Sequence, residues 1–411
     1  MPASLTWIDH DAQAYQRSQR ILALFSERDT RDELGLGSIR DTFADALFPG
    51  TSTIQTRLRY MLFIPWMYRS LENKRVKSAR IGIRVREYET GLIGALSAQA
   101  GDGDVGIIGS SAGDSLKRLP SAIYWAGLRE WGIREYPGSQ QQYHNELDHI
   151  YERRRLYGSH RDVSEELGDD VGGLWEANAY TWHPGLPEAP SGFPDEASLR
   201  LTPEEAGYVQ ERVRQAQPNS LLAWLMLHPR RVKVDYPWLH PDLGAFSGEI
   251  RNQLKHAELF SLIMHGASIL YNVLLAELSG RESLLEEHKG LVLDWQALLQ
   301  GQEGQVSAWA RDLMPFWEVV GTGRYNVGAR TRGFVEAWVE RVVTIGGHVL
   351  EDDASRRLVQ RREEEKKRAN SRFVNARARD QWGGSSGLGR LDFRWNSASV
   401  FIDDIVDALG G

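Results

Sequence analysis

Apolar positions recur at helical spacing along most of the chain, with strand-like alternation confined to short pieces. Between 13 and 27, Tyr15, Ile21, Leu22, Leu24 and Phe25 fall on one face of an amphipathic helix. Ser38 with Asp41 three residues on has the form of an N-cap and its acid, which predicts a short helix over 39–47. Phe48-Pro49-Gly50 breaks that helix. Ser52 with Gln55 forms a second such box and predicts a long helix over 53–72, kinked or restarted at Pro65. Helical spacing continues over 74–99, 120–132 and 140–158, with a loop and a short strand expected in the glycine-rich 101–115. The second half predicts helices over 203–217, 219–227, 246–278, 282–300, 305–320, 328–345 and 354–370. At the end, Leu391, Phe393 and Trp395 alternate like a strand before helical spacing resumes.

These elements predict a mainly α protein, a multi-helical globular body with few short strands. Helix, turn and helix over 87–133 is also the pattern a helix-turn-helix subdomain would give, although packing alone produces it in large helical proteins. Segment 160–202 is rich in Gly, Pro and Asp and reads as a linker or crossing loop. It separates an N-terminal helical domain, 1–159, from a C-terminal one, 203–411. The dense run of charges at 354–370 mixes both signs at i,i+4 spacing, as a solvated helix face does.

The 411-residue chain is long enough to bury a sizeable core, and it contains no Cys, so disulfides, thiolate nucleophiles and Cys-ligated metal sites are excluded. The N-terminus lacks the basic start and apolar core of a signal peptide, and the apolar stretch at 259–278 carries His265, Tyr271 and Asn272, which suits a buried helix. A cytoplasmic protein without a membrane partner is expected. The net charge of −7 argues against a general polyanion coat but allows a local basic face. The 11 His are scattered, and His228, His240 and His256 match no standard metal spacing, so no metal or cofactor is expected.

The densest candidate chemistry lies at 29–59. Asp29, Arg31, Asp32 and Glu33 stand before a glycine turn, and carboxylates interleaved with Arg can set one acid's pKa against another's. Behind them, Thr51, Ser52, Thr53 and Gln55 form a hydroxyl-rich turn expected to feed a helix N-terminus, a seat for phosphate. Arg40, Arg57 and Arg59 would add positive charge beside it. Helix capping accounts equally well for Ser38, Asp41, Ser52 and Gln55, and the Arg/Asp pairs for a surface network. Tyr60, the Tyr124-Trp125 pair, and Tyr271-Asn272 could stack on an extruded base and read its edge; aromatics at this spacing are also the ordinary content of a core.

Four segments taken together, LTWID near the start, DTRDELGLGSIRDTFADALFPGTSTIQTRLRYMLFIPWMY at 29–68, RLPSAIYWAGLREWGI at 118–133 and RWNSASVFIDDI near the end, resemble a bacterial family found in phage-defence neighbourhoods. That family is associated with DNA glycosylases that remove glucosylated hydroxymethylcytosine from phage DNA. The resemblance implies hydrolysis of the N-glycosidic bond to leave an abasic site, with double-stranded phage DNA as partner and other defence proteins nearby. Such chemistry needs an extruded base, a carboxylate facing the cationic sugar, and no metal. LFPGTSTIQTRL is also similar to the backbone-gripping hairpin of helical glycosylases, but Thr and Ser stand where that hairpin has Gly. A non-enzymatic DNA-binding or adaptor subunit of a defence system is the alternative.

Overall fold

The computed structural model describes residues 32–101, 105–110, 116–164 and 180–410. Among them the fold is built from 15 α-helices and no named strand. Among the described residues one isolated antiparallel bridge, Arg134 to Trp182, lies away from the stretches expected to form strands; 102–104 and 111–115 of the glycine-rich stretch lie outside the described residues. In chain order the helices are α1 (Gly37–Leu47), α2 (Tyr60–Asn73), α3 (Ser78–Gln99), α4 (Pro120–Glu130), α5 (Gln140–Ser164), α6 (Pro203–Ala216) and α7 (Leu221–Leu227). Then follow α8 (Gly248–Leu278), α9 (Glu282–Gly301), α10 (Glu303–Arg311), α11 (Met314–Gly321), α12 (Ala329–Thr344), α13 (Asp353–Lys367), α14 (Ala376–Asp380) and α15 (Trp395–Leu409). The amphipathic helix expected over 13–27 lies outside the described residues.

The chain forms two compact units, each discontinuous in sequence. The first comprises the chain up to Phe43 with Asn252–Phe393; the second comprises Ala44–Arg251 with the chain from Arg394 onward. The boundaries drawn from composition at 159 and 203 do not coincide with these. Residues 180–202 belong to the second unit and bury Trp182, Leu186, Ala197, Leu199 and Leu201, so this part of the expected linker is packed rather than loose.

In the first unit α8 is the axis. It is long and apolar enough to cross a membrane by length and composition, yet 89% of its most apolar window is buried inside the protein. Its backbone takes part in side-chain bonds: Trp295 donates to the Leu262 carbonyl at 2.8 Å and Trp338 to the Ile263 carbonyl at 2.9 Å. Gly266 makes the first approach possible, because a Cβ there would overlap the Trp295 ring. Phe316 stacks on both Phe43 and Phe260. The expected helix over 305–320 is two helices, because Pro315 cannot donate a backbone bond and sits instead in the first turn of α11. The charged helix ends at Lys367, where Arg368 turns to a positive φ of 51°. Most of its face is solvated as expected, but Arg362 and Glu363 are buried, Arg362 donating to the Leu34 carbonyl at 2.7 Å.

In the second unit α2 is the buried core, packed on α4, while α3 packs on α5 and α15 on α6 and α7. Tyr68, Trp125, Tyr143 and Trp182 form an aromatic cluster, mostly edge-to-face with Tyr68 stacked on Trp182, a favourable arrangement for ring quadrupoles. Helices α3 and α4 are joined through 100–119, far more chain than the three- or four-residue turn of a helix-turn-helix. The expected strand over 391–395 is absent: Phe393 and Arg394 both take positive φ, 51° and 73°, and α15 begins directly after them. Alternate burial of Phe393 and Trp395 gave the strand-like signal.

A buried hydrogen-bond chain crosses this unit. Glu89 accepts from the Ser121 amide and hydroxyl, Gln140 donates to Ser121 Oγ and to the Tyr68 hydroxyl, and that hydroxyl meets His144 Nε2 at 2.8 Å. Burial pushes the Glu89 carboxyl up to about 7, against the opposing pull of the two Ser121 bonds. Glu89 therefore binds its proton more tightly folded than unfolded. Its contribution to stability is fully present below pH 4.5 and is lost as pH rises through about 7. Glu89→Gln, neutral at every pH, is expected to gain stability relative to the parent between pH 5 and 8, by a few kcal/mol at most. Urea denaturation of both proteins across that range checks it; a stability difference that does not change with pH would refute it.

Candidate functional site

Of the carboxylates singled out before the glycine turn, Asp32 and Glu33 are both held in ion pairs within the first unit. Asp32 accepts from the Leu36 amide at 2.6 Å and the Gly37 amide at 2.9 Å, and pairs with Lys366 at 2.9 Å. It, rather than Ser38 with Asp41, caps α1, which starts two residues earlier than expected. Burial works to raise the Asp32 pKa, but Lys366 and the two amides outweigh it and hold the carboxyl below its ordinary value. Glu33 is buried between Arg372 at 3.0 Å and Lys367 at 2.6 Å. Asp41 is occupied by Arg40 at 3.0 Å. Asp29 and Arg31 lie outside the described residues.

The same unit holds Tyr271 and Asn272, both fully buried. Asn272 donates to the Ser268 and Ser386 carbonyls and accepts from the Ser386 amide and the Trp382 ring, so its amide is already read by the protein. The Tyr271 hydroxyl accepts from Arg372.

The hydroxyl-rich turn belongs to the second unit, and it does not feed a helix N-terminus. Gln55 Oε1 accepts from the Ser52 amide at 2.9 Å, as a capping box would have it, but α2 begins only at Tyr60. The intervening amides are claimed from elsewhere: Thr56 and Arg57 donate to the Tyr124 hydroxyl at 2.9 and 3.1 Å, and Leu58 donates to Asp404 at 2.8 Å. These long-range acceptors hold 56–59 out of the helix, and the expected phosphate seat is not formed. Thr51 bonds to the Phe48 carbonyl, Thr53 is exposed, and Ser52 Oγ is shielded with no partner among the described residues. Arg59 is buried on Glu205 at 2.6 Å and the Ser198 carbonyl at 2.7 Å, against the Phe63 and Trp66 rings. Tyr60 and Tyr124 are fully buried with their hydroxyls engaged, and Trp125 lies under Arg134 while donating to the Gly138 carbonyl.

One member of the sequence-derived set, Arg57, does reach a cleft. The cleft has a volume of about 770 Å³, and its charged walls are Arg57, Arg200, Arg231, Asp403, Asp404 and Asp407. Val105, Leu201 and Val400 supply the apolar part. Three elements of the second unit set the side chains. Helix α15 presents Asp403, Asp404 and Asp407. Trp395 at its start bonds the Val234 carbonyl at 2.8 Å and so pins the irregular segment that carries Arg231. Arg200 projects between buried Leu199 and Leu201, just before Thr202 caps α6.

The electrostatics divide the cleft into a fixed wall and an open one. Asp404 is buried; one oxygen holds the Arg57 guanidinium at 2.7–2.8 Å and the other holds the Leu58 amide. Arg57 in turn reaches the Val105 carbonyl at 3.1 Å. Burial raises the Asp404 pKa, opposed by Arg57 and the Leu58 amide. Opposite, Arg231 pairs closely with Asp407 and more loosely, at 3.5 Å, with Asp403. Partial burial raises the Asp403 pKa, Arg231 lowers it, and neighbouring Asp407 adds to the rise. Arg200 is exposed and has no ion pair among the described residues. A second, smaller cavity of about 330 Å³ is lined by Glu135, Tyr136, Gln142, Glu146, Arg153 and Thr181, next to the buried carboxylate of Glu72. Among the described residues no group of three or more His, Asp and Glu is arranged to hold a metal ion.

The profile of the DUF6361 family matches the chain over residues 2–409. The chain belongs to DUF6361, a family of unknown function. No curated protein and no solved structure matches it. The DUF6361 match spans both walls of the cleft.

In this DUF6361 chain, Arg200, Arg231, Asp403, Asp404 and Asp407 were absent from the sequence-derived candidates. A signal for one was present. Asp404 follows Phe401 by three residues and precedes Ile405, so helical spacing puts a carboxylate on the buried face of α15, where it must find a partner. Arg200 and Arg231 carry no comparable mark, since isolated arginines in irregular segments are ordinary surface.

Proposed function

We propose that this protein is a DNA glycosylase that hydrolyses the N-glycosidic bond of glucosylated hydroxymethylcytosine in phage DNA, leaving an abasic site, and that it acts in anti-phage defence. The observation that carries the reading, beside the resemblance of the four sequence segments, is the cleft on α15. Its volume of about 770 Å³ is in the range of pockets that enclose a ligand, ample for an extruded base with its sugar substituent. The reaction breaks the bond between C1′ and the base nitrogen. The base departs with the bonding electron pair and takes up a proton, and water supplies the hydroxyl to C1′ after losing its own proton to a base. Cationic character at C1′ calls for a nearby carboxylate.

Asp403 suits that role. It faces the cleft, its one ion pair among the described residues is loose, and its raised pKa favours its acting as a proton acceptor. Asp404 does not, because both its oxygens are committed to Arg57 and Leu58. Arg200 is available to a backbone phosphate at the rim.

Incubation with glucosylated phage DNA, with unglucosylated hydroxymethylcytosine DNA and with unmodified DNA, each followed by alkali, tests the reading. Strand cleavage is expected on the glucosylated DNA, more slowly on the unglucosylated hydroxymethylcytosine DNA, and not on unmodified DNA. Salt-dependent DNA binding with no base released from any of the three would refute it and favour a DNA-binding or adaptor subunit.

A further inference from the structure

We infer that Arg231 and Asp407 form a hydroxyl-reading group that recognises the sugar carried by the modified base; this rests on the glycosylase reading of the same cleft. Asp403 and Asp407 are four residues apart on α15 and so point the same way, with the Arg231 guanidinium between them. Beside them the cleft wall is apolar, from Val400 and Leu201. A sugar offers this combination its natural complement: adjacent hydroxyls that both donate and accept, on a ring with apolar C–H faces. A carboxylate accepts from such hydroxyls and a planar guanidinium donates to them. Phosphate would be met by Arg231 alone and repelled by both carboxylates, and an unmodified pyrimidine has no cluster of hydroxyls to engage them.

The two carboxylates divide the work. Asp407 is the more exposed of the pair and bonds Arg231 more closely. Asp403 is half-buried deeper on the same helix, next to Asp404. A hexose attached to the base through its hydroxymethyl group would replace the Arg231–Asp407 contact with bonds from both side chains to sugar hydroxyls. A site whose polar groups are engaged by substrate hydroxyls discriminates against the analogue that lacks them. Here the discrimination is softened, because without sugar Arg231 and Asp407 satisfy each other.

The test is the ratio of kcat/KM on glucosylated DNA to that on unglucosylated hydroxymethylcytosine DNA, for the parent and for Asp407→Ala. The ratio is expected to fall about tenfold or more in the variant, the scale of one lost hydrogen bond to a charged group. Asp407 lies on the exposed side of α15, so folding is retained, and circular dichroism verifies it. An equal loss on both substrates, or an unchanged ratio, overturns the inference and leaves the glycosylase reading standing. An inactive parent on both substrates overturns both.

Discussion

Asp403→Asn is expected to slow release of the modified base by about 100-fold or more while leaving the affinity for DNA within a few-fold of the parent. The estimate follows from the general scale of acid–base assistance, about 10²–10⁴. Asn keeps the size and one oxygen of the side chain but can neither accept a proton at neutral pH nor place a full negative charge against a cationic sugar. The loss should therefore appear in the single-turnover rate, not in binding. Asp403 is partly exposed and makes only a loose ion pair, so the substitution should leave the fold intact. Quenched single-turnover assays on glucosylated DNA, with anisotropy for binding, separate the two effects. A fully active Asp403→Asn enzyme would remove Asp403 from the chemistry and return attention to the remaining carboxylates.

The largest effect on stability is expected at Glu72. Its carboxylate is buried and accepts from the Tyr143 hydroxyl, from Thr181 at 2.7 Å and from the Trp182 ring at 3.1 Å, while its second oxygen pairs with Arg154 at 2.7 Å. Glu72→Ala leaves these donors facing a void and removes the carboxylate partner of Arg154. Breaking a buried pair by removing one member typically costs about 3–5 kcal/mol. Chemical denaturation should show a loss of that order. A change below about 1 kcal/mol would mean that water replaces the carboxylate through the adjoining cavity.

Helix content and most helix spans were legible in the sequence because periodicity is a local property. The misreadings within the polar block share one physical cause, a partner far away in the chain. Ser52 and Gln55 do make their predicted bond, but the helix behind them is postponed by the Tyr124 hydroxyl and the Asp404 carboxylate. Asp32 takes the cap expected of Ser38, assisted by Lys366. The site was legible in the same measure. Arg57 belonged to the polar block, but the carboxylate that fixes it is on the last helix, and no spacing rule links the two. The aromatic candidates had the composition of a base pocket and the positions of a core, and Tyr60, Tyr124, Tyr271 and Asn272 are buried with their polar atoms already bonded.

The Arg57–Asp404 bond also governs when the protein can finish folding. The last helix supplies the counter-charge for Arg57 and the acceptor for the Leu58 amide, both near the start of the second unit, and the whole of 252–393 is synthesised in between. A nascent chain on the ribosome therefore carries an incomplete second unit, with an unneutralised guanidinium and an uncovered apolar face, until α15 emerges. The 252–393 segment can assemble during that wait. Completion of the cleft therefore waits for α15, and a chain stalled before that helix lacks Asp403, Asp404 and Asp407.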